Sequence, residues 1–320
     1  MKRARLKKTL IIVGIPTLYA LVLRMFFGIK EWSDLFSVMS VSFLFCLPTI
    51  TGILTVYFSG EDKVRRFRYR FFAPWVPIFS FFLITLLTRL EGWACWLMIL
   101  PLFLLAASVG GLIGGYFKLK KKANKMYIPA LTFFPFLMAP VENMISVTPA
   151  TYEAITYIDI QAPAEKIWGN VTSVYKIKEE QDKGWLTKLL GLPRPVEAIL
   201  NYEGVGASRE ARFTNGLVFH ETVSEYTDKK KMVFSIKAYP YEIPSTTMDE
   251  HVVIGGKYFD VLNGTYELER LNSTTCRLHL YSRFQLTTNF NFYAGWWAKW
   301  IMKDIQNNIL QIEKLRSENQ

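Results

Sequence analysis

The chain has 320 residues, 51% of them hydrophobic and 15% aromatic, with a formal net charge of +11. The charge is one-sided: residues 1–141 hold 18 Lys/Arg against 5 Asp/Glu, whereas residues 142–320 hold 20 against 22. The second part therefore lacks the basic face that counterion release from a phosphate backbone requires, which excludes nucleic-acid binding there. Three cysteines (Cys46, Cys95, Cys276) and three histidines (His220, His251, His279) fall in no metal-ligand or redox spacing, so neither a metal nor a cofactor is expected.

The first part reads as membrane. A span needs about 20 mostly apolar residues. Runs at 9–28, 36–58, 71–88 and 92–117 qualify, and a fifth at 126–147 carries Glu142 and Asn143 only near its end. The basic stretch at 2–8 is followed by no small-residue cleavage site, so the first run is expected to be retained. Fifteen Lys/Arg lie before the first run, between the second and third, and between the fourth and fifth; only Arg24, Lys30 and Arg89 lie in the alternate linkers. The positive-inside rule then puts the N-terminus in the cytoplasm and, with five spans, the C-terminal part outside it; if the fifth run is only re-entrant, the C-terminal part lies inside. Pro48, Pro77, Pro101 and Pro135 are expected to kink these helices. In VGGLIGGY, Gly110 and Gly114, and Gly111 and Gly115, stand four apart, a small-residue packing face. Its expected use is within the bundle; oligomer formation through the same four glycines is the other.

The second part reads as a water-soluble domain. A strand at 155–161 leads to a helix at 164–174 opened by Pro163, where a missing N–H costs nothing. A second short helix covers 183–190. Strands follow at 196–203, 208–214, 217–226, 232–238, 258–269 and 275–286, with Asn215-Gly216 a strong hairpin signal. A helix at 292–316, with Asn291 as its expected cap, places Tyr293, Trp297, Ile301, Ile305, Ile309 and Ile312 on one face; Lys299, Lys303, Gln306 and Glu313 fall on the other. A curved sheet with a long helix across its concave face leaves a cavity between them.

Strand periodicity sorts the candidates. His220 and Glu221 are adjacent, so they point to opposite faces. If Glu221 points inward, Arg209 or Arg212 on the neighbouring strand can pair with it. Leu280 and Phe284 share the inward face of the last strand and leave His279 outward. Phe219, Glu221, Tyr258, Leu280, Phe284, Trp297 and Ile301 are the candidate cavity residues, and Tyr239, Tyr241 and His251, on the long connection after 238, the candidate lid. No catalytic constellation stands out.

The stretches IDIQAPAEKIW, FTNGLVFHETVSEY, GGKYFDVLNGTYELE and CRLHLYSRFQLTTNFNFYAGWWAKWIMKDIQNNIL resemble the SRPBCC superfamily. This is the helix-grip fold of START lipid-transfer domains, polyketide cyclases and plant pathogenesis-related allergens. The resemblance covers about 155–316 and, with the preceding spans, is similar to bacterial multi-span SRPBCC proteins. The expected architecture is an α-helical membrane bundle of about five spans over 1–148, followed by an α+β helix-grip domain over 152–318. The resemblance implies a bacterial inner-membrane protein with a periplasmic cavity for a membrane lipid or other hydrophobic small molecule. A cyclase- or hydratase-like enzyme, or a partner protein with a filled cavity, is the alternative.

Overall fold

The computed structural model describes residues 2–33, 35–120, 127–145, 147–243 and 253–319. The chain divides into two compact units, Met1–Val147 and Thr148–Gln320.

The first unit is helical: α1 (Lys2–Phe27), α2 (Leu47–Phe58), α3 (Glu61–Val64), α4 (Phe67–Phe72), α5 (Trp75–Leu87), α6 (Trp93–Leu119), α7 (Tyr127–Thr132) and α8 (Phe134–Asn143). Three stretches are long and apolar enough to cross a membrane: Lys7–Phe27, Phe67–Leu87 and Trp93–Leu119. The expectation of five such spans is thus not met helix by helix. The second is shorter because residues 36–40 are not helical; a π-helical turn, Ser42–Cys46, opens it and it ends at Phe58. At 1.5 Å per residue such a helix is about 25 Å long, short of a hydrocarbon core of about 30 Å. The fifth is broken at Phe133, between α7 and α8. Pro48, Pro77 and Pro135 stand in the first turns of α2, α5 and α8, where proline is tolerated; Pro101 lies inside the long α6 as expected, and Pro16, not singled out, lies inside α1.

Both ends of the short second helix are closed by charge. The Glu142 carboxylate accepts from the amides of Val41 (2.7 Å) and Ser42 (3.0 Å) and from the Ser42 hydroxyl (3.0 Å). At the other end the Lys118 ammonium donates to the carbonyls of Tyr57 (2.5 Å), Val56 (3.4 Å) and Ser59. An anion at the amino end and a cation at the carboxyl end each complement the helix dipole and the unpaired terminal groups. A second charged contact, Arg24 to Glu91, is likewise buried, and Arg24 also donates to the Leu90 carbonyl at 3.0 Å.

The glycine face packs inside the bundle. A Cβ on Gly110 would lie 1.9 Å from the Thr49 carbonyl oxygen, and one on Gly52 2.0 Å from that of Ala107, so α2 and α6 meet backbone to backbone. Gly111 and Gly115 turn the other way, onto Arg70 of α4. All four glycines of the 110–115 stretch are buried within the chain's own helices, leaving none exposed to a second copy.

The second unit runs β1 (Ala150–Ile160), α9 (Ala164–Thr172), α10 (Trp185–Leu190), β2 (Pro195–Leu200), β3 (Ser208–Phe213), β4 (Val218–Thr227), β5 (Lys231–Lys237), β6 (Phe259–Arg270), β7 (Cys276–Leu286) and α11 (Asn291–Asn319). The strands form one antiparallel sheet in the order β1-β7-β6-β5-β4-β3-β2. Bulges between Val223 and Glu225 and between Val261 and Asn263 help it curl. Asn215 and Gly216 both take positive φ (62° and 80°), the turn their sequence calls for. The first strand begins five residues earlier than periodicity indicates, because polar Thr151 and Glu153 lie in it opposite Gln285 and Arg283 of β7.

The inward residues alternate as expected: Phe219, Glu221 and Val223 on β4, and Leu278, Leu280, Ser282 and Phe284 on β7, are buried. They face α11, which packs on β1 and β7. Asn291 does not cap α11. Its side-chain oxygen accepts from the Thr288 amide (3.0 Å) and hydroxyl (2.8 Å), closing the preceding turn instead. The larger departure is on α11: Gln306 and Glu313, placed on the solvent face by the isoleucine stripe, are 2% and 0% exposed.

If the glycine face sets the helix spacing, Gly110→Ala should lower the stability of the detergent-extracted bundle by about 1–3 kcal/mol, since the added methyl meets backbone that cannot yield. Gly14→Ala, with nothing within 4 Å, should leave it unchanged or slightly raised. Thermal melts of the two variants side by side decide it.

Candidate functional site

Between the concave face and α11 lies a cavity of about 80 Å³. Where one water needs about 10–15 Å³, this is room for a few small groups and no more. Its walls are mostly apolar: Ala198, Ala211, Phe219 and Ile236 from the sheet, Met302 and Ile309 from α11. Seven polar side chains line it: Arg209, Glu221, Tyr266, Ser282 and Gln306, all buried, and at its outer side the more exposed pair Arg212 and Glu197 (3.5 Å).

The Arg209–Glu221 pair is built by register. The two residues are direct partners across β3 and β4, and alternation turns both inward. Arg209 Nε donates to Glu221 at 2.6 Å, with each side chain 4% exposed, and Nη1 donates to the Val171 carbonyl at 3.3 Å. The guanidinium lies 4.6 Å over the Phe234 ring. That ring has room because its cross-strand partner is Gly264, whose Cβ would fall 2.4 Å from it. Burial pushes the Glu221 carboxyl above its ordinary range while Arg209 pulls it back down. Burial also raises the Tyr266 phenol, against the pull of Arg209.

The second polar group comes from α11. Gln306 donates to the Ala154 carbonyl (3.1 Å) and to Ser282 (2.9 Å) and pairs with Thr156 (3.1 Å), tying the helix to β1 and β7. Asp304 accepts from the Thr187 amide and hydroxyl, both at 2.9 Å, closing the first turn of α10. Asn308 accepts from the Lys183 amide at 2.6 Å and donates to Asp182 at 2.9 Å. Glu313 differs: it is fully buried and neither carboxyl oxygen has a hydrogen-bond partner among the described residues. Burial raises its carboxyl to about 8, against the pull of Arg316 and Arg209, so it is protonated at neutral pH.

Of the residues singled out by sequence, Glu221, Phe219 and Leu280 line the cavity. Phe284 is buried beside it in a ring cluster with Tyr152 and Phe259 (centroids 5.8 and 5.9 Å). Trp297 is buried among Trp296 and Trp300, and Ile301 is half-buried; neither reaches the cavity, whose helical wall begins at Met302, further along α11. Tyr258 is half-buried under the Lys257 ammonium (5.5 Å). The Tyr239 and Tyr241 rings lie tilted to each other at 5.4 Å, with Tyr241 80% exposed, and Tyr239 lies 5.3 Å from His220 on the outer face. His220 pairs there with Glu242 at 2.7 Å, and His279 lies flat on Tyr281. His251 lies outside the described residues. Gln306, Glu313 and Tyr266 were missed by sequence reasoning. The signal for the first two was a second helical stripe, 302-306-309-313-317, running beside the isoleucines.

Seven antiparallel strands in this order, gripped by a C-terminal helix, define the helix-grip class. No family model matches the chain, and no curated protein does. Among solved structures it is similar to a truncated norcoclaurine synthase from Thalictrum flavum (13% identity, TM-score 0.32, 52% of this chain and 96% of that one). It is also similar to a START superfamily protein from Mycobacterium smegmatis (10% identity, TM-score 0.34, 52% and 97%). A conserved protein of unknown function from Enterococcus faecalis shows 13% identity and a TM-score of 0.29 over 54% of this chain and 75% of that one.

The unpaired acid gives a signed pH dependence. Between the usual 4.5 and about 8, the unfolded chain has released the Glu313 proton and the folded one keeps it, so stability falls as pH rises through that window. The slope from this one group is about 1.4 kcal/mol per pH unit. Glu313→Gln should remove it and raise the melting temperature at pH 7–8 relative to the wild type, with convergence near pH 4. Parallel curves for the two proteins would contradict the assignment.

Proposed function

We propose that the chain is a membrane-tethered binding module whose helix-grip cavity takes a hydrophobic small molecule with one polar end, drawn from the bilayer. The observation that carries this is the lining: apolar walls with Arg209, Glu221, Tyr266, Ser282 and Gln306 converging on one space. Burial of an apolar body supplies about 25 cal/mol per Å², and a polar end meets hydrogen-bonding groups already in place. At about 80 Å³ the cavity is contracted, so a lipid or isoprenoid enters only as Met302 and Ile309 of α11 move off the sheet. Membrane residence is supported by the three long apolar helices and by the large apolar side chains they leave exposed, Leu10, Leu18, Met25, Leu83 and Leu105 among them.

Topology follows from the same bundle. Lys118 holds the carboxyl end of α2 and Glu142 its amino end, so the chain from α6 through α8 runs from one end of that helix to the other. This supports a fifth, broken traversal. With five traversals and the basic linkers in the cytoplasm, the reading we propose is an inner-membrane protein with the second unit in the periplasm.

Native mass spectrometry of the detergent-extracted protein should show a bound mass, reduced in Ala211→Leu, which fills the cavity without removing a polar group. A wild type that is always free of ligand, beside an Ala211→Leu variant that is merely more stable, would make the space a packing void. A reporter active only in the cytoplasm, fused after Gln320, should be silent; activity would reverse the topology and leave the ligand reading standing.

A further inference from the structure

The second unit carries an aromatic surface that its interior does not use. Phe292, Trp296 and Trp300 recur every fourth residue along one side of α11 and are 72%, 56% and 36% exposed. Trp185 and Leu189 of α10, again four apart, are 57% and 51% exposed. The two helices make one patch: the Trp185 and Trp300 rings meet edge to face at 5.7 Å, and Trp296 and Trp300 lie 5.3 Å apart. At about 200 Å² per large side chain the exposed shares sum to roughly 500 Å², near the upper end of what a monomer's surface leaves uncovered. Exposed lysines flank it: Lys188 stands three residues after Trp185 and Lys303 three after Trp300, one helical turn away in each case. Lys299 is drawn aside, its ammonium 5.3 Å over the Tyr152 ring.

We infer that this patch docks on the headgroup layer of an anionic bilayer. Indole is the side chain that settles at that depth, apolar over most of its surface with one N–H for the wet side. Lysines beside it complement acidic lipid. A second copy of the chain fits less well: an isologous contact would bring one basic-rimmed patch onto an identical one, setting like charges around a surface being desolvated. The chain also carries three helices able to cross a membrane, so bilayer is held at high effective concentration next to this domain. Since Met302 and Ile309, which wall the cavity, lie two and nine residues beyond Trp300 on α11, docking presents that helix to the source of an apolar ligand. The inference rests on the membrane residence proposed above and not on the ligand.

The test uses the full chain in vesicles of phosphatidylglycerol and phosphatidylcholine, with and without acyl chains brominated near the headgroup. The fluorescence that Trp296→Phe removes is measured as a difference from wild type, and Trp300→Phe likewise; Trp93→Phe, at the start of α6, reports the membrane helices. The Trp296 and Trp300 components should lose about half their intensity to brominated lipid and be shielded from aqueous iodide, as expected of indoles at the interface. Lys188→Glu with Lys303→Glu should restore iodide access. A Trp296 component open to iodide and indifferent to bromine, with Trp93 quenched, overturns the docking and leaves membrane residence intact. Shielding from both quenchers means a protein occupant and also overturns it. If Trp93 is not quenched either, membrane residence itself fails, and docking with it.

Discussion

The second unit is organised around two opposite charges placed across one rung of a sheet and then sealed from water. Arg209 and Glu221 attract strongly in that medium, but taking both out of water costs several kcal/mol each. The neighbours reduce that cost. Phe234 offers its ring face to the guanidinium, Val171 offers a carbonyl, and Gly264 yields the volume that lets the ring lie there. α11 then closes the top: Gln306 pairs its own amide with Thr156, Ala154 and Ser282, while Glu313 is sealed in without a hydrogen-bond partner among the described residues. A pair of this kind adds little net stability over a well-packed apolar replacement; what it does is fix which strand faces which and keep polar chemistry inside an otherwise apolar hollow.

The first unit meets the same difficulty with a different answer. Its second helix is too short to bring both ends to water on its own, and its terminal amides and carbonyls need partners inside an apolar bundle. Glu142 and Lys118 supply them from distant parts of the sequence. The acidic residue that looked like a blemish at the end of a span is the amino-terminal closure of a neighbouring helix. The same contact ties the last helical segment to the linker after α1, as does the bond from Asn143 to the Leu35 carbonyl at 2.8 Å.

Much of the soluble architecture was legible because strand alternation and turn chemistry agree: Asn215-Gly216, the opposed His220 and Glu221, and the even-numbered face of β7 all fell where a period of two puts them. That an inward Glu221 could meet an arginine of the neighbouring strand was readable for the same reason; that the partner is Arg209 and not Arg212 was not. The polar side of α11 was not. A helix that buries Gln306, Glu313 and Asp304 beside isoleucines has no clean apolar stripe, and periodicity alone assigns its polar residues to solvent. Which turn of the helix walls the cavity was also hidden, so Trp297 and Ile301 were favoured over Met302 and Ile309. In the first unit hydropathy found three helices long and apolar enough to cross a membrane. It could not see that residues 36–40 leave the helix or that the 126–147 run breaks at Phe133, since neither changes the average.

Asp304, Gln306 and Asn308 occupy little more than one turn of α11, yet they hold different things. The outer two grasp α10 and the segment before it; the middle one grasps the edge of the sheet. The short helix and the long one are therefore tied to each other, and the long one to the sheet where Gln306 meets Ser282. Any molecule that pries the long rod upward to gain space carries the short one with it, and the indoles of Trp185 and Trp300 travel together. The aromatic outside and the hollow inside of this domain thus share one helix, α11.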